Sequence, residues 1–386
     1  MNNVCRSSFA GILFVTLAAT IAPSPALAIP PDPNNAALLY YQSFLTLAQL
    51  DDRARDRIAA VARGDKAPDK QAREDIGKCA GAIEFAEAAA KAPTCDWGVR
   101  YSRGFEALMP QMAQMRAMTF VLTADARILA ADGNYKGALE RCLMAGTFAR
   151  HVGDDTLISY LVSISVRNLA YKCMQDVLGR SAGDAELLQW VKDELAASDI
   201  VTLSPTRSLK NEMEIVDDLL RRENVEKLAR AIAGTDAKKA AVIVRKADEK
   251  LLERARGIYT ERMSSALTIF STPMPYEQAV AQLKQAANFD PNDPSAQVAQ
   301  AFVPGLDKIF SQKTAIETHA NAIKAGIEVL LSRAKSGQLP NALPSGLPKD
   351  AFSGKDFEYS KTKDSFSLRC PGKDLDVYRY EFKIKK

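Results

Sequence analysis

Apolar residues recur at alternating intervals of three and four through most of the chain, from Asn34 to Ser336. The stretch 103–131 shows the interval most clearly, in the series Phe105, Leu108, Met112, Met115, Thr119, Leu122, Ala126 and Leu129. This spacing places one apolar stripe along an α-helix. The same interval, interrupted by Gly, Pro and Asp residues, predicts helices over 34–63, 68–91, 103–131, 135–151, 155–178, 184–197, 205–233, 236–271, 276–288, 295–310 and 312–336.

One predicted helix differs from the others because its residues from Leu157 to Tyr171 are apolar on nearly every side. A helix with this pattern is buried all round, so we expect it at the centre of a helical bundle.

The pattern changes at Gly337. Alternation of apolar and polar residues, which is typical of strands, appears at Phe357–Tyr359, Phe366–Leu368 and Tyr378–Ile384. The sequence therefore predicts a mainly α fold of irregular helical hairpins or a bundle, with a small C-terminal antiparallel β appendage. The predicted divisions are a signal peptide over 1–28, an N-terminal helical domain over 29–200, a second helical block over 201–336 and the β appendage over 337–386.

Two stretches resemble tetratricopeptide-type helical hairpins. The first contains Gly133-Asn134-Tyr135 followed by Ala138-Leu139; the second has Tyr276, Ala279, Leu283 and Ala286 followed by Asp290-Pro291. Small residues at these positions allow two helices to cross closely. The repeat period is not sustained, so irregular hairpins are expected rather than a regular array.

The first 28 residues have the pattern of an export signal. Arg6 precedes the apolar run Phe9–Ala22, and Ala26-Leu27-Ala28 is a typical cleavage site. The run is shorter than the roughly 20 residues that span a bilayer, and no later apolar stretch is long enough. The sequence thus predicts a periplasmic or secreted protein with no transmembrane segment after cleavage.

Cleavage after Ala28 predicts a mature N-terminus at Ile29. N-terminal sequencing of the protein from its native host measures this directly, and a chain that begins at Met1 would contradict the export prediction.

The composition narrows the classes of partner. Ala, Leu, Lys, Arg and Glu dominate, which favours helices. The net charge is only +4, with 51 basic and 47 acidic residues well mixed, and this balance argues against a nucleic-acid partner.

Five cysteines follow the signal segment, too few for a disulfide scaffold. A hairpin with its turn near Gly153 places Cys142 and Cys173 at heights that differ by roughly 13 Å, so we expect them to be separate buried thiols. Cys79 and Cys95 are the better candidates for a disulfide.

No motif for metal binding, cofactor binding or catalysis is present, so the sequence predicts no such site residues and no cofactor. His151 and His319 stand alone, and His151 is interpreted as a cap at a helix C-terminus. Asp154-Asp155 suits the start of a helix. An M-x-x-M series is interpreted as core filling rather than as a copper site, and comprises Met109, Met112, Met115 and Met118.

Two segments carry a resemblance to a known group. Cys95-Asp96-Trp97-Gly98, followed by a long helix and then ARHVGDDTLIS from Ala149 to Ser159, resembles a group of exported helical bacterial proteins of unknown function. The resemblance covers roughly residues 34–180 plus the tail, and it implies a helical exported protein without implying an activity.

The tail carries a second, shorter resemblance. The segment Leu347–Tyr359, followed by Phe366-Ser367-Leu368, is similar to the C-terminal part of type II secretion pseudopilins. The methylated N-terminal helix and the acidic calcium loop of that family are missing, so the resemblance implies a local hairpin.

These observations favour an exported, non-catalytic helical scaffold that binds a protein or a cell-envelope component. One alternative is a cell-wall enzyme with a lone catalytic glutamate such as Glu106 or Glu140. Another is a pseudopilin-like assembly factor.

Overall fold

The computed structural model describes residues 32–47, 49–107, 109–197, 204–372 and 378–384, apart from the side chains of Phe105 and Glu106. The predicted signal peptide lies outside these residues. Helices account for most of the described chain and a small antiparallel sheet lies near its C-terminal end, which confirms the predicted fold class.

The first two predicted helices are each divided into two. The four resulting elements are α1 (Ala36–Leu47), α2 (Asp52–Arg63), α3 (Lys70–Gly77) and α4 (Ala80–Lys91). The Asp51 side chain accepts a hydrogen bond from the Ala54 amide and so starts α2 as a new helix. Asp69 caps α3 in the same way. The break between α1 and α2 therefore falls at an acidic cap, whereas α3 and α4 are separated at Lys78 and Cys79 without a side-chain cap.

The next group builds the middle of the bundle. It comprises a 3₁₀ helix (Tyr101–Glu106), α5 (Gln111–Ala131), α6 (Tyr135–Val152), α7 (Leu157–Arg180) and α8 (Ala185–Ala197). The predicted helix 103–131 instead becomes α-helical only at Gln111, because Gly104 adopts a positive φ of 56° and Pro110 precedes the first turn.

The second helical block is also more divided than the sequence predicts. It contains α9 (Thr206–Leu219), a 3₁₀ turn (Arg222–Asn224), α10 (Val225–Ala233), α11 (Ala237–Lys246), α12 (Glu249–Ser271), α13 (Tyr276–Ala286), α14 (Pro294–Gln300) and α15 (Leu306–Ser336). Asp248 caps α12 and thereby separates it from α11. The predicted break near residue 311 is wrong, because α15 continues through it.

The C-terminal sheet has the order β1-β2-β3, with β1 (Glu358–Lys361), β2 (Ser365–Arg369) and β3 (Arg379–Lys383) all antiparallel to their neighbours. Phe366 pairs with Phe382, and both rings are buried and stacked at 4.7 Å. The inner face of the sheet therefore contributes to the same hydrophobic core as α7 and α15.

The strand β3 approaches two helices very closely, and glycine makes both approaches feasible. A Cβ on Gly179 of α7 would lie 2.3 Å from the Lys383 carbonyl oxygen, and one on Gly326 of α15 would lie 2.3 Å from the Phe382 ring. Gln175 Nε2 also donates to the Glu381 carbonyl oxygen at 2.6 Å. The sheet is thus seated directly on the helices.

The helix α7 packs against α5, α6, α15 and β3, which confirms its predicted central position. Two of its buried polar residues have hydrogen-bond partners: Ser163 Oγ donates to the Ala149 carbonyl oxygen at 2.6 Å, and Arg167 hydrogen-bonds to Tyr171.

Cys142 and Cys173 form no disulfide, as expected, but the structure corrects their predicted difference in height. The two thiols are free, fully buried and hydrogen-bonded to each other. That bond and burial together raise the pKa of the Cys142 thiol well above its ordinary value. The expectation counted residues from a single turn near Gly153, whereas the two helices are joined by the segment Gly153–Thr156. Both cysteines are buried, as predicted.

We expect any disulfide that forms under oxidising conditions to join Cys142 to Cys173. Cys79 caps the N-terminus of α4 and Cys95 follows its C-terminus, so a helix of 12 residues, about 18 Å long, lies between them. Non-reducing peptide mapping distinguishes the two linkages, and a peptide joining Cys79 to Cys95 would contradict this expectation.

Candidate functional site

The two segments that carry the family resemblance meet in space. Trp97 Nε1 donates to the carbonyl oxygen of His151 at 2.6 Å, and so joins the segment after α4 to the end of α6. Asn35 Nδ2 donates to the Asp96 carbonyl oxygen at 2.9 Å and fixes the first segment to the start of α1. An open cleft of about 880 Å³ lies beside this junction. We call it the Trp97 cleft, and its main residues are Asp96, Trp97, Tyr101, Arg150, Asp155 and Arg207.

An aromatic cluster supports one side of the cleft. Trp97 stacks on Phe44 with a centroid separation of 6.0 Å and on Tyr40 at 5.6 Å. The Tyr40 hydroxyl is hydrogen-bonded to His151 Nδ1 at 3.1 Å. Rings held in this way fix the position of the cleft's backbone.

His151 does not act as the charged helix cap that its sequence position suggests. Burial, and secondarily the neighbouring Arg150, lower the pKa of its imidazole to about 4. The ring is therefore neutral at physiological pH, and it interacts with Tyr40 rather than with the end of the helix dipole.

The opposite side of the cleft is organised by Asp155. Its carboxylate accepts a hydrogen bond from the Tyr101 hydroxyl at 3.0 Å and pairs with the Arg207 guanidinium at 2.6 Å. Its backbone carbonyl accepts from Asn211 Nδ2 at 2.8 Å. One aspartate thus connects the 3₁₀ helix, the α6–α7 connection and α9.

The predicted helix-start role of Asp154 and Asp155 is corrected as well. The cap of α7 is Thr156, which exchanges hydrogen bonds with Ser159 in a capping box. The two aspartates precede this cap and face Arg207 instead. Burial raises the pKa of the Asp154 carboxyl, and Arg207 partly opposes that shift.

The cleft carries charges of both signs, with Asp96, Asp154, Asp155 and Glu214 beside Arg150 and Arg207. Cys95 borders it, but burial and the nearby Asp96 raise the pKa of its thiol to about 12, so it is protonated and weakly nucleophilic at neutral pH. Within the described part of the chain, no group of three or more His, Cys, Asp or Glu side chains is placed to hold a metal ion.

Comparisons of the chain with known protein families, with curated proteins and with solved structures found no match. Across the described ranges, no helix combines the length and apolar character needed to cross a bilayer.

The residues considered from sequence for catalysis and metal binding are dispersed. Glu140 is exposed and lies 3.9 Å from Lys136, while the side chain of Glu106 lies outside the described residues. His319 is buried against Gln175, far from the cleft in the fold. Met115 and Met118 are buried in the N-terminal core, as the core-filling interpretation predicts, whereas Met109 and Met112 are half-buried.

Sequence reasoning missed Tyr101, Arg207 and Glu212, because none belongs to a motif and their roles arise only when α9 packs against the α6–α7 connection. Glu212 is half-buried, and burial raises the pKa of its carboxyl. It accepts a weak hydrogen bond from the Leu157 amide at 3.4 Å. Its charge also acts on the buried Tyr259.

Proposed function

We propose that the mature chain is an exported helical binding protein of the bacterial cell envelope, without catalytic activity, and that the Trp97 cleft holds its protein partner. The observation that carries this proposal is the chemistry of the cleft: an open, mixed-charge surface in which Asp155 pairs with Arg207 and accepts a hydrogen bond from Tyr101. Such a surface suits complementary polar contacts with a partner.

The rigidity of the cleft supports the same proposal. Its segments are fixed by hydrogen bonds between residues more than 50 positions apart, including Trp97–His151 and Tyr101–Asp155. A preorganised surface loses less entropy on binding than a mobile one.

The test compares three forms of the mature protein as baits in envelope extracts from the native host. Arg207→Glu reverses a charge in the cleft, whereas Arg245→Glu reverses an exposed charge on α11 and is the matched control. We expect a partner captured by the wild type and the control to be lost with Arg207→Glu. Capture that is equal for all three forms would show that the Trp97 cleft is not the binding surface.

The alternative of a cell-wall enzyme has one observation in its favour, the raised pKa of Glu212, which is the property expected of a general acid. Two other residues of α9, Asn211 and Glu214, line the Trp97 cleft. Leu209 and Val216, on the same helix, are buried in the core. Release of soluble fragments from purified peptidoglycan by the wild type, and its loss in Glu212→Gln, would establish this enzyme. We expect no release by either form.

A further inference from the structure

A second surface lies along α7, away from the Trp97 cleft. Leu161, Ser165, Asn168 and Lys172 are spaced by four, three and four residues, so they form one stripe on the helix. Ser165, Asn168 and Lys172 are exposed and Leu161 is half-buried. The otherwise central helix therefore reaches the surface along this line.

Two open depressions share the stripe. The first has a volume of about 600 Å³ and lies between α7 and α5, where Met112 and Phe120 form its apolar wall. The second has a volume of about 650 Å³ and lies between α7, α15 and β3, where Gln175, Gln312 and Arg379 contribute polar groups. Each volume falls in the range of small-molecule sites. We call the two depressions together the α7 groove.

The charge of the α7 groove has one sign. The charged residues among those that line it are Arg63, Arg116, Lys172 and Arg379, and no described lining residue is an aspartate or a glutamate. Arg63 is paired with Asp65 at 2.7 Å, while its guanidinium lies 5.9 Å from the Phe120 ring centroid. Carboxylates near the groove are already engaged, as Asp176 is by Arg127 at 2.6 Å.

The arrangement along the groove is amphipathic. Lys172 lies at one end of the stripe, beside the polar depression, and Leu161 lies at the other, eleven residues or about 16 Å away along the helix. Leu169 and Val162 continue the apolar wall between them, and Ile158 is 55% exposed beyond Leu161. Exposed apolar side chains and positive charge therefore lie together along this side of α7.

We propose that the α7 groove binds a single-chain anionic amphiphile as a monomer, with its acidic head group at Lys172 and its alkyl chain along Leu161, Val162 and Phe120. The charges complement a carboxylate or phosphate head group, and the length of the stripe matches a chain of about a dozen methylene groups. This proposal is independent of a protein partner in the Trp97 cleft, since the two surfaces share no residues.

The test titrates the mature protein with a dansyl-labelled undecanoic acid and follows its fluorescence. We expect saturable binding, competition by decanoate, competition at least tenfold weaker by decanol, and none by acetate. Charge reversal in Lys172→Glu should raise Kd at least tenfold, and Leu161→Asn should raise it severalfold. Lys238→Glu, an exposed charge reversal on α11, is the matched control and should leave Kd unchanged.

Circular dichroism and thermal melts of each variant show whether it is folded. If Leu161→Asn unfolds, the location of the binding site is tested by Lys172→Glu alone, because Lys172 is exposed. Equal competition by decanol and decanoate would overturn the proposed head-group site. Loss of binding in the Lys238→Glu control would overturn the location, as would retention in Lys172→Glu. If the protein binds no monomeric amphiphile but sediments with vesicles that contain phosphatidylglycerol, the proposal is wrong and the α7 groove instead contacts a membrane surface.

Discussion

Replacement of Gly326 by alanine is expected to lower the free energy of unfolding by about 1–3 kcal/mol, the usual cost of overpacking a core. The added methyl group would lie 2.3 Å from Cζ of Phe382. That ring is stacked on Phe366 inside the core and has no free space to withdraw into. Chemical denaturation followed by circular dichroism measures the change.

Gly257 in α12 provides the matched control, because it is also a helix-interior glycine but its Cβ position has no neighbour within 4 Å. Since alanine favours a helix over glycine, Gly257→Ala should raise the free energy of unfolding by up to about 1 kcal/mol. An equally stable Gly326→Ala variant would mean that β3 does not press on α15 in solution.

Replacement of Asp75 by asparagine is expected to have a comparable effect, a loss of about 1.5–3 kcal/mol, because a buried carboxylate loses its hydrogen bonds to two cations that reach solvent. The Asp75 side chain is fully buried, and it binds Arg57 at 2.6 Å and Lys78 at 3.0 Å. Glu74→Gln on the same helix is the control: its carboxylate is half-exposed and 3.9 Å from Lys70, so the change should be within about 0.5 kcal/mol.

The same aspartate predicts a pH dependence. Burial acts to raise the pKa of Asp75, but the hydrogen bonds from Arg57 and Lys78 outweigh it and hold the pKa below its ordinary value. The resulting stability is fully present above the unfolded-state pKa of about 3.9 and is lost as the pH falls through the folded-state pKa. Denaturation curves below about pH 4 should therefore converge for the wild type and Asp75→Asn. Curves that stay equally far apart down to pH 2 would contradict this assignment.

The sequence predicts the elements of this fold better than their boundaries. Apolar periodicity identifies the helical character from Asn34 to Ser336 and the central position of α7, because burial follows directly from the pattern. It does not reveal the breaks at Asp51 and Asp248, since an acidic cap interrupts the backbone without altering the apolar stripe. The proximity of Cys142 and Cys173 is likewise not evident from the sequence, because counting residues from a turn does not give the position of one helix along another.

The candidate site was much less predictable. Trp97 and Asp155 lie in segments whose resemblance to an exported group drew attention to them, yet the sequence does not show that these segments touch. No sequence motif marks Arg207 or Tyr101. Their contacts with Asp155 form only when distant segments of the chain pack together. The α7 groove cannot be predicted from the sequence either, because its four cationic residues come from four separate elements, α2, α5, α7 and β3.

The position of β3 on α7 has a consequence for how the chain reaches its native state. Gln175 and Glu381, which join these elements, are 206 residues apart in the sequence. When the chain emerges N-terminus first, the side of α7 that faces β3 therefore stays exposed until nearly the whole chain has emerged. Contacts of such long sequence separation close slowly. The interval before closure is when this protein would be most vulnerable to proteolysis and most dependent on chaperones.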